Sequence, residues 1–99
     1  MEGRKDDQGK PRWSLFPKGT LLEVAKVLTF GAGKYDDDNW MKVPNAKKRY
    51  YDAFNRHVDA WWRGERNDPE TGLHHLASAT CCLLFLMWLD WNGEQPNGS

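Results

Sequence analysis

Residues 49–86 read RYYDAFNRHVDAWWRGERNDPETGLHHLASATCCLLFL, and this stretch decides the fold class. Tyr50, Phe54, His57, Val58 and Trp61 recur at three- and four-residue steps, which puts them on one face of an α-helix. Asp52, Arg56, Asp59 and Arg63 share another face at steps of four, three and four, the spacing of solvated ion pairs. A helix is therefore expected from Asn45 to Gly64. Asp68-Pro69 offers an N-cap carboxylate followed by proline at a first helical position. The next helix is expected to start there and run to about Trp91, with His74-His75 one turn inside it. From Leu83 to Leu89 it reads LLFLMWL, apolar all the way round. Neighbouring helices of one chain cover only part of such a circumference, and each large side chain left wet forfeits about 1.5–3 kcal/mol. A second copy of the chain is the expected cover, giving a homodimer or a dimer of dimers.

Upstream, Thr20-Leu21-Leu22-Glu23 matches the capping box S/T-x-x-E with Thr20 as N-cap. Leu21, Val24, Ala25 and Leu28 then line one helical face, and Gly31 and Gly33 are expected to end the helix. Residues 34–45 (KYDDDNWMKVPN) form a loop that is long for so small a chain, with Asp36, Asp37 and Asp38 between Tyr35 and Trp40. Residues 10–17 (KPRWSLFP) are bounded by prolines and read as an extended arm lying on the body. No segment alternates as a strand does. The expected architecture is all-α: three main helices with an extended N-terminal arm. Residues 1–9 read as a flexible N-terminus, 10–91 as a single helical domain and 92–99 as a flexible tail.

The 99 residues contain 28% charged and 39% hydrophobic side chains, a globular profile. Fourteen basic and fourteen acidic groups cancel, so no global field draws in a nucleic acid polymer or an anionic membrane. The apolar run at 81–89 is far shorter than the roughly 20 residues of a membrane span, and the polar N-terminus is no signal peptide. Cys81 and Cys82 are adjacent, which suits neither a disulfide framework nor C-x-x-C metal spacing; two buried thiols in a reducing cytoplasm are expected. Six tryptophans exceed what so small a core can hide. Trp13 and Trp40, off the helix faces, are candidates for ligand contact, whereas Trp61, Trp62, Trp88 and Trp91 are expected in core or interface.

Four groups of side chains are chemically suggestive. Glu23, Glu65 and Asp68 offer oxygen ligands for a hard divalent cation, although Glu23 and Asp68 equally suit capping and Glu65 an ordinary turn. Lys10, Arg12, Lys34 and Arg49 suit phosphate oxygens; Lys47 and Lys48 read as solvated. Trp13, Tyr35 and Trp40 can stack on a purine, worth roughly 1–3 kcal/mol. His57 and His75 can face each other across the hairpin, close enough to the carboxylates to orient water or phosphate. No H-x-x-x-H spacing occurs, so a zinc site is not expected.

KPRWSLFP, EVAKVLTFGAGKYDDDNW and residues 49–86 together resemble a phage-associated family of dATP/dGTP diphosphohydrolases, N-terminal type, related to the MazG-like all-α nucleotide pyrophosphohydrolases. The likeness spans roughly residues 10–89 and rests on several separated signatures: KPR, FGA-x-KY, NW, RH, GE-x-x-D-x-E-x-G and HL-x-x-A. It implies a MazG-like helical bundle completed by oligomerisation, which binds a purine nucleotide with Mg²⁺ or Mn²⁺ and releases a monophosphate and pyrophosphate. Carried onto this chain, Glu23, Glu65 and Asp68 would hold metal, with Glu65, Asp68 and His75 as the catalytic group. Lys10, Arg12, Lys34 and Arg49 would hold phosphates and Trp13, Tyr35 or Trp40 the base, with Asn39 and His57 also among the nucleotide-binding residues. One signature is missing. MazG-like enzymes have E-x-x-E on an early helix, but the positions three away from Glu23 are Thr20 and Lys26. The leading expectation is thus a metal-dependent purine nucleoside triphosphate pyrophosphohydrolase, acting in the cytoplasm of a bacterial host. Its rival is a non-catalytic phage sponge that sequesters a host immune nucleotide signal. A ligand-free helical adaptor is the third reading.

Overall fold

The computed structural model describes residues 3 and 6–93. Most of the expected tail, and part of the expected flexible N-terminus, lie outside the described residues. Three helices form the body: α1 (Thr20–Lys34), α2 (Ala46–Trp62) and α3 (His75–Trp91). Two single turns of 3-10 helix, Trp13–Leu15 and Asn39–Lys42, interrupt the arm and the loop. Among the described residues there is no strand, and Asn67 and His74 form an isolated bridge. The all-α expectation holds.

The helix starts depart from the sequence reading for a common reason. Side chains expected to cap a helix use the same hydrogen-bonding capacity on a neighbouring turn. Thr20 is not the N-cap of α1: Gly19 is, in the left-handed region at φ 85°, and Thr20 Oγ1 donates to the Pro17 carbonyl at 2.7 Å. Asp68 does not cap α3. Its Oδ1 accepts from the Glu70 amide at 2.9 Å, its amide donates to the Leu73 carbonyl, and its carbonyl accepts from the Gly72 amide. Gly72 supplies the positive φ (73°) that folds residues 68–73 into a closed turn. The helix begins only at His75, where the His74 ring accepts from the Leu76 amide at 3.0 Å. His74 and His75 are therefore the start of α3, not one turn inside it.

Glycines 31 and 33 do not end α1, which continues to Lys34. A glycine costs a helix about 1 kcal/mol without forbidding it, and the Tyr35 amide still donates to the Gly31 carbonyl at 2.9 Å. Helix α2 lies within two residues of its expected bounds, with Asn45 as N-cap and Gly64 (φ 106°) beyond its end. The arm is interrupted by its 3-10 turn, where Trp13 and Phe16 stack at 5.9 Å.

Helix α3 is the common partner of the other two. Val24 of α1 packs with Ala77 and Cys81, flanked by Val27 and Phe85, and the Cys81 thiol reaches the Val24 carbonyl at 3.6 Å. Helices α2 and α3 run antiparallel, since His57 meets His75 while Tyr50 meets Phe85. The loop is anchored beside them: Trp40 stacks on Phe85 at 4.8 Å, meets Trp88 edge-on at 5.0 Å, and its carbonyl accepts from the Tyr50 hydroxyl at 3.1 Å. Of the tryptophans expected in core or interface, Trp61, Trp62 and Trp91 are exposed in the single chain, Trp62 by 77%, so the core does not account for them. The Cα radius of gyration is 16.6 Å, against about 13 Å for a compact chain of this length. The helices leave a trough between α1 and α2.

Candidate functional site

The trough is a cleft of about 790 Å³ floored by Cys81 and Phe85 of α3, within the range of small-molecule sites. Helix α1 contributes Val27, Leu28, Gly31 and Ala32, an apolar wall whose last two members are small. The loop contributes Tyr35, Asp36, Asp37, Asp38, Asn39 and Trp40. Asp38 has a positive φ of 59° at the start of the 3-10 turn, a conformation that aspartate tolerates better than most residues. Helix α2 contributes Arg49, Tyr50, Asp52, Ala53 and Arg56, residues that recur at helical spacing on one face. The sequence reading had assigned Asp52 and Arg56 to a solvated ion-pair face. Of that face only Asp59 and Arg63 pair, at 3.0 Å; Asp52 and Arg56 turn to the cleft instead. Arg49, Asp52, Ala53 and Arg56 stand at i, i+3, i+4 and i+7, and that spacing was the available signal.

A second constellation adjoins the first along α2, because His57 follows Arg56. Here His57 of α2 and His75 of α3 bring their Nδ1 atoms to 2.8 Å. The His75 Nε2 hydrogen bonds Glu65 Oε1 at 2.7 Å, and Asp68 Oδ2 lies 4.0 Å from His57 Nδ1. His75 is only 5% exposed, whereas the Glu65 side chain is 52% exposed. Burial, reinforced by the neighbouring His75 and only partly offset by Asp68, pulls the His57 pKa below its ordinary 6.5. The expected meeting of the two histidines beside the carboxylates is thus present. The turn of residues 63–74 builds it, with the His75 amide donating to the Arg66 carbonyl at 2.9 Å.

Other sequence candidates fall elsewhere. Glu23 engages Lys26 at 3.0 Å in the first turn of α1 and is not part of the group of possible metal donors among the described residues, which is His57, Asp68 and His75. Lys34 forms an ion pair with Glu70, which raises its pKa, and lies 5.2 Å from the Tyr35 ring centre. It ties the end of α1 to the turn before α3. Lys10, Arg12 and Trp13 lie on the exposed arm and do not line the cleft. Tyr35, Asn39, Trp40 and Arg49 do line it, Trp40 while its ring packs on Phe85. Burial, with Cys82 nearby, raises the Tyr50 phenol to about 12, so it stays a neutral donor to the Trp40 carbonyl.

The family described as dATP/dGTP diphosphohydrolase, N-terminal, matches residues 1–98. The chain belongs to that family. A dATP/dGTP diphosphohydrolase of Salmonella phage PMBT28 is 43% identical to it over 89 residues, which is 90% of this chain and 30% of that protein. The chain thus spans about 30% of the length of the curated relative it matches. No solved structure matches. The family assignment agrees with the separated sequence signatures, and the fold shows what two of them do locally. In GE-x-x-D-x-E-x-G, Gly64 and Gly72 supply positive φ, Asp68 closes the turn and Glu65 meets His75. In HL-x-x-A, His75 and Ala79 are buried on α3. No helix of the described residues is long and apolar enough to cross a membrane.

Proposed function

We propose that this chain binds a purine deoxynucleoside triphosphate in the cleft between α1 and α2 and hydrolyses it to the monophosphate and pyrophosphate with a divalent cation. The observation behind this reading is the lining of the cleft: two arginines, a run of aspartates and an exposed tyrosine around an apolar floor. Arg49 and Arg56 offer forked donors to phosphate oxygens. Tyr35 offers a face for the base, worth roughly 1–3 kcal/mol. The names of the family and of the phage relative support the substrate class.

For Mg²⁺ or Mn²⁺, oxygen ligands are the relevant donors. Asp36, Asp37, Asp38 and Asp52 fit that requirement and share the cleft with the arginines. Glu23 does not fit, since Lys26 engages it. The bound cation supplies charge neutralisation on the phosphates and polarises the attacked phosphorus. Glu65, with one oxygen fixed by His75 Nε2 and half its side chain in solvent, is the residue to accept a proton from the attacking water. His75 acts as its positioning residue. The reading includes self-association through the uncovered side of α3.

A second reading has a specific observation in its favour. Among the described residues Glu23, Glu65 and Asp68 do not gather into a group of possible metal donors, and this favours nucleotide binding without turnover, as in the sponge. Incubating the chain with dGTP or dATP and Mn²⁺, while following bound nucleotide and released pyrophosphate, separates the two. The enzyme reading expects release that Glu65→Gln abolishes while binding persists. Recovery of intact nucleotide bound at stoichiometry supports the sponge. Absence of nucleotide binding removes both.

A further inference from the structure

We propose that His57, His75 and Asp68 form a binding site for a divalent transition metal of the zinc class, with Glu65 as the outer hydrogen-bond partner of His75. The sequence offers no zinc spacing, because the donors come from three different places: the middle of α2, the turn and the first residue of α3. The hairpin gathers one ligand atom from each of the three residues to within 4.8 Å of one another. Three protein ligands with positions left open to solvent is the pattern of reactive rather than purely structural zinc sites.

The donor chemistry selects the metal. Two imidazole nitrogens and one carboxylate oxygen suit Zn²⁺, Co²⁺ or Mn²⁺, whereas Mg²⁺ and Ca²⁺ favour oxygen throughout. Metal–nitrogen bonds of about 2.0–2.1 Å put tetrahedral ligands roughly 3.3 Å apart. The two Nδ1 atoms at 2.8 Å need only a small parting, and Asp68 Oδ2 at 4.0 Å a small approach. Asp68 is already held by the Glu70 amide through its other oxygen, which leaves Oδ2 for the metal.

The proton inventory balances. A carboxylate accepts, so in its neutral form His75 would donate Nε2–H to Glu65 and keep a lone pair on Nδ1. With that tautomer the His57 Nδ1–H would donate to the lone pair across the 2.8 Å contact. On binding, His57 shifts its hydrogen to Nε2 and both Nδ1 atoms face the ion, with no net proton released. A carboxylate on the far nitrogen of a ligating histidine fixes its tautomer and raises its basicity, and Glu65 occupies that position. Burial of His75 shields its hydrogen bond to Glu65, while the partly exposed side chains of His57 and Asp68 keep the donor atoms within reach of solvent.

This inference stands apart from the nucleotide reading, and its test contains no nucleotide. The metal-stripped full chain is titrated with Zn²⁺ by calorimetry and with Co²⁺ by visible absorption. The expected result is one equivalent per chain and intense d–d bands of a low-coordinate nitrogen/oxygen site, without the near-ultraviolet thiolate band that Cys81 or Cys82 would give. His57→Gln and His75→Gln abolish stoichiometric binding. Glu65→Gln keeps the stoichiometry but weakens affinity about 10–100-fold. Excess Mg²⁺ leaves the Co²⁺ spectrum unchanged. Lack of stoichiometric binding, full retention in the histidine variants, or displacement by Mg²⁺ overturns the proposal. Far-ultraviolet dichroism checks the fold of each variant. Should His75→Gln unfold, His57→Gln and Asp68→Asn decide the matter from the half-buried positions.

Discussion

Residues 75–82 of α3 carry mostly small side chains, and His75, Ala77, Ser78, Ala79, Cys81 and Cys82 are buried there. Residues 83–91 carry large ones, yet of these only Leu89 is buried, while Leu83, Leu84, Met87 and Trp91 are exposed. Size and burial run opposite to the usual expectation. In the first half, small residues let α1 and α2 approach the backbone closely. In the second half, Phe85 and Trp88 meet Trp40 along one stripe, and Leu83, Leu84, Met87 and Trp91 stay exposed among the described residues. An apolar groove of about 610 Å³ opens there, lined by Leu83, Leu86 and Met87 with Lys47, Lys48, Tyr51 and Asp90. The first half is buried by its own chain; much of the second stays exposed among the described residues.

Several substitutions put that contrast at risk. The largest expected effect is at the covered stripe of the second half. Trp40→Ala removes the stack on Phe85 and the edge contact with Trp88, and is expected to cost about 3 kcal/mol, read as a shifted midpoint in urea unfolding. In the first half, Ala79→Leu overfills a position that is 3% exposed and is expected to cost about 1–3 kcal/mol. That corresponds to about 4–8 °C of melting temperature per kcal/mol. Tolerance of leucine at Ala79 would contradict the close-packed account of this half.

On the uncovered side, Met87→Lys is expected to change single-chain stability by less than about 0.5 kcal/mol. It should nevertheless lower the molar mass measured by light scattering if a second copy covers the groove. An unchanged mass, equal to that of one chain before and after the substitution, would count against self-association there. The smallest effect concerns the thiols. Burial raises Cys81 from an ordinary 9.0 to about 12 and Cys82 to about 11. Below pH 9 both states keep these protons and the contribution to stability is complete. As pH rises through 9 toward 12, the unfolded chain ionises first and the contribution is lost. A thiol reagent at pH 8 is expected to label neither cysteine until denaturant is added.

Much of this was legible in the chain because helical periodicity is local. The apolar spacing around Tyr50, Phe54 and His57 gave α2 to within two residues, and in LLFLMWL the residues Leu83, Leu84 and Met87 are exposed among the described residues while Leu89 is buried. The helix starts were less legible. Thr20 and Asp68 have capping chemistry, but a side chain that can cap a helix can equally close a turn, and tertiary contacts choose between them. The candidate site divides in the same way. The His57–His75 meeting followed from two helices and a hairpin, whereas Arg56 and Asp52 looked like a solvated face because their neighbours in space lie on α1 and the loop.

What the sequence determined by itself is therefore the all-α class, the family, the buried thiols and the surplus of apolar surface on α3. These depend on residue type and on spacing within one helix. The tertiary structure decided which charges share a cleft, that Lys34 ties α1 to Glu70 of the turn, and that two imidazoles and a carboxylate meet at the turn. Those relations join residues from separate elements, and they are fixed only once α1 and α2 have packed against α3.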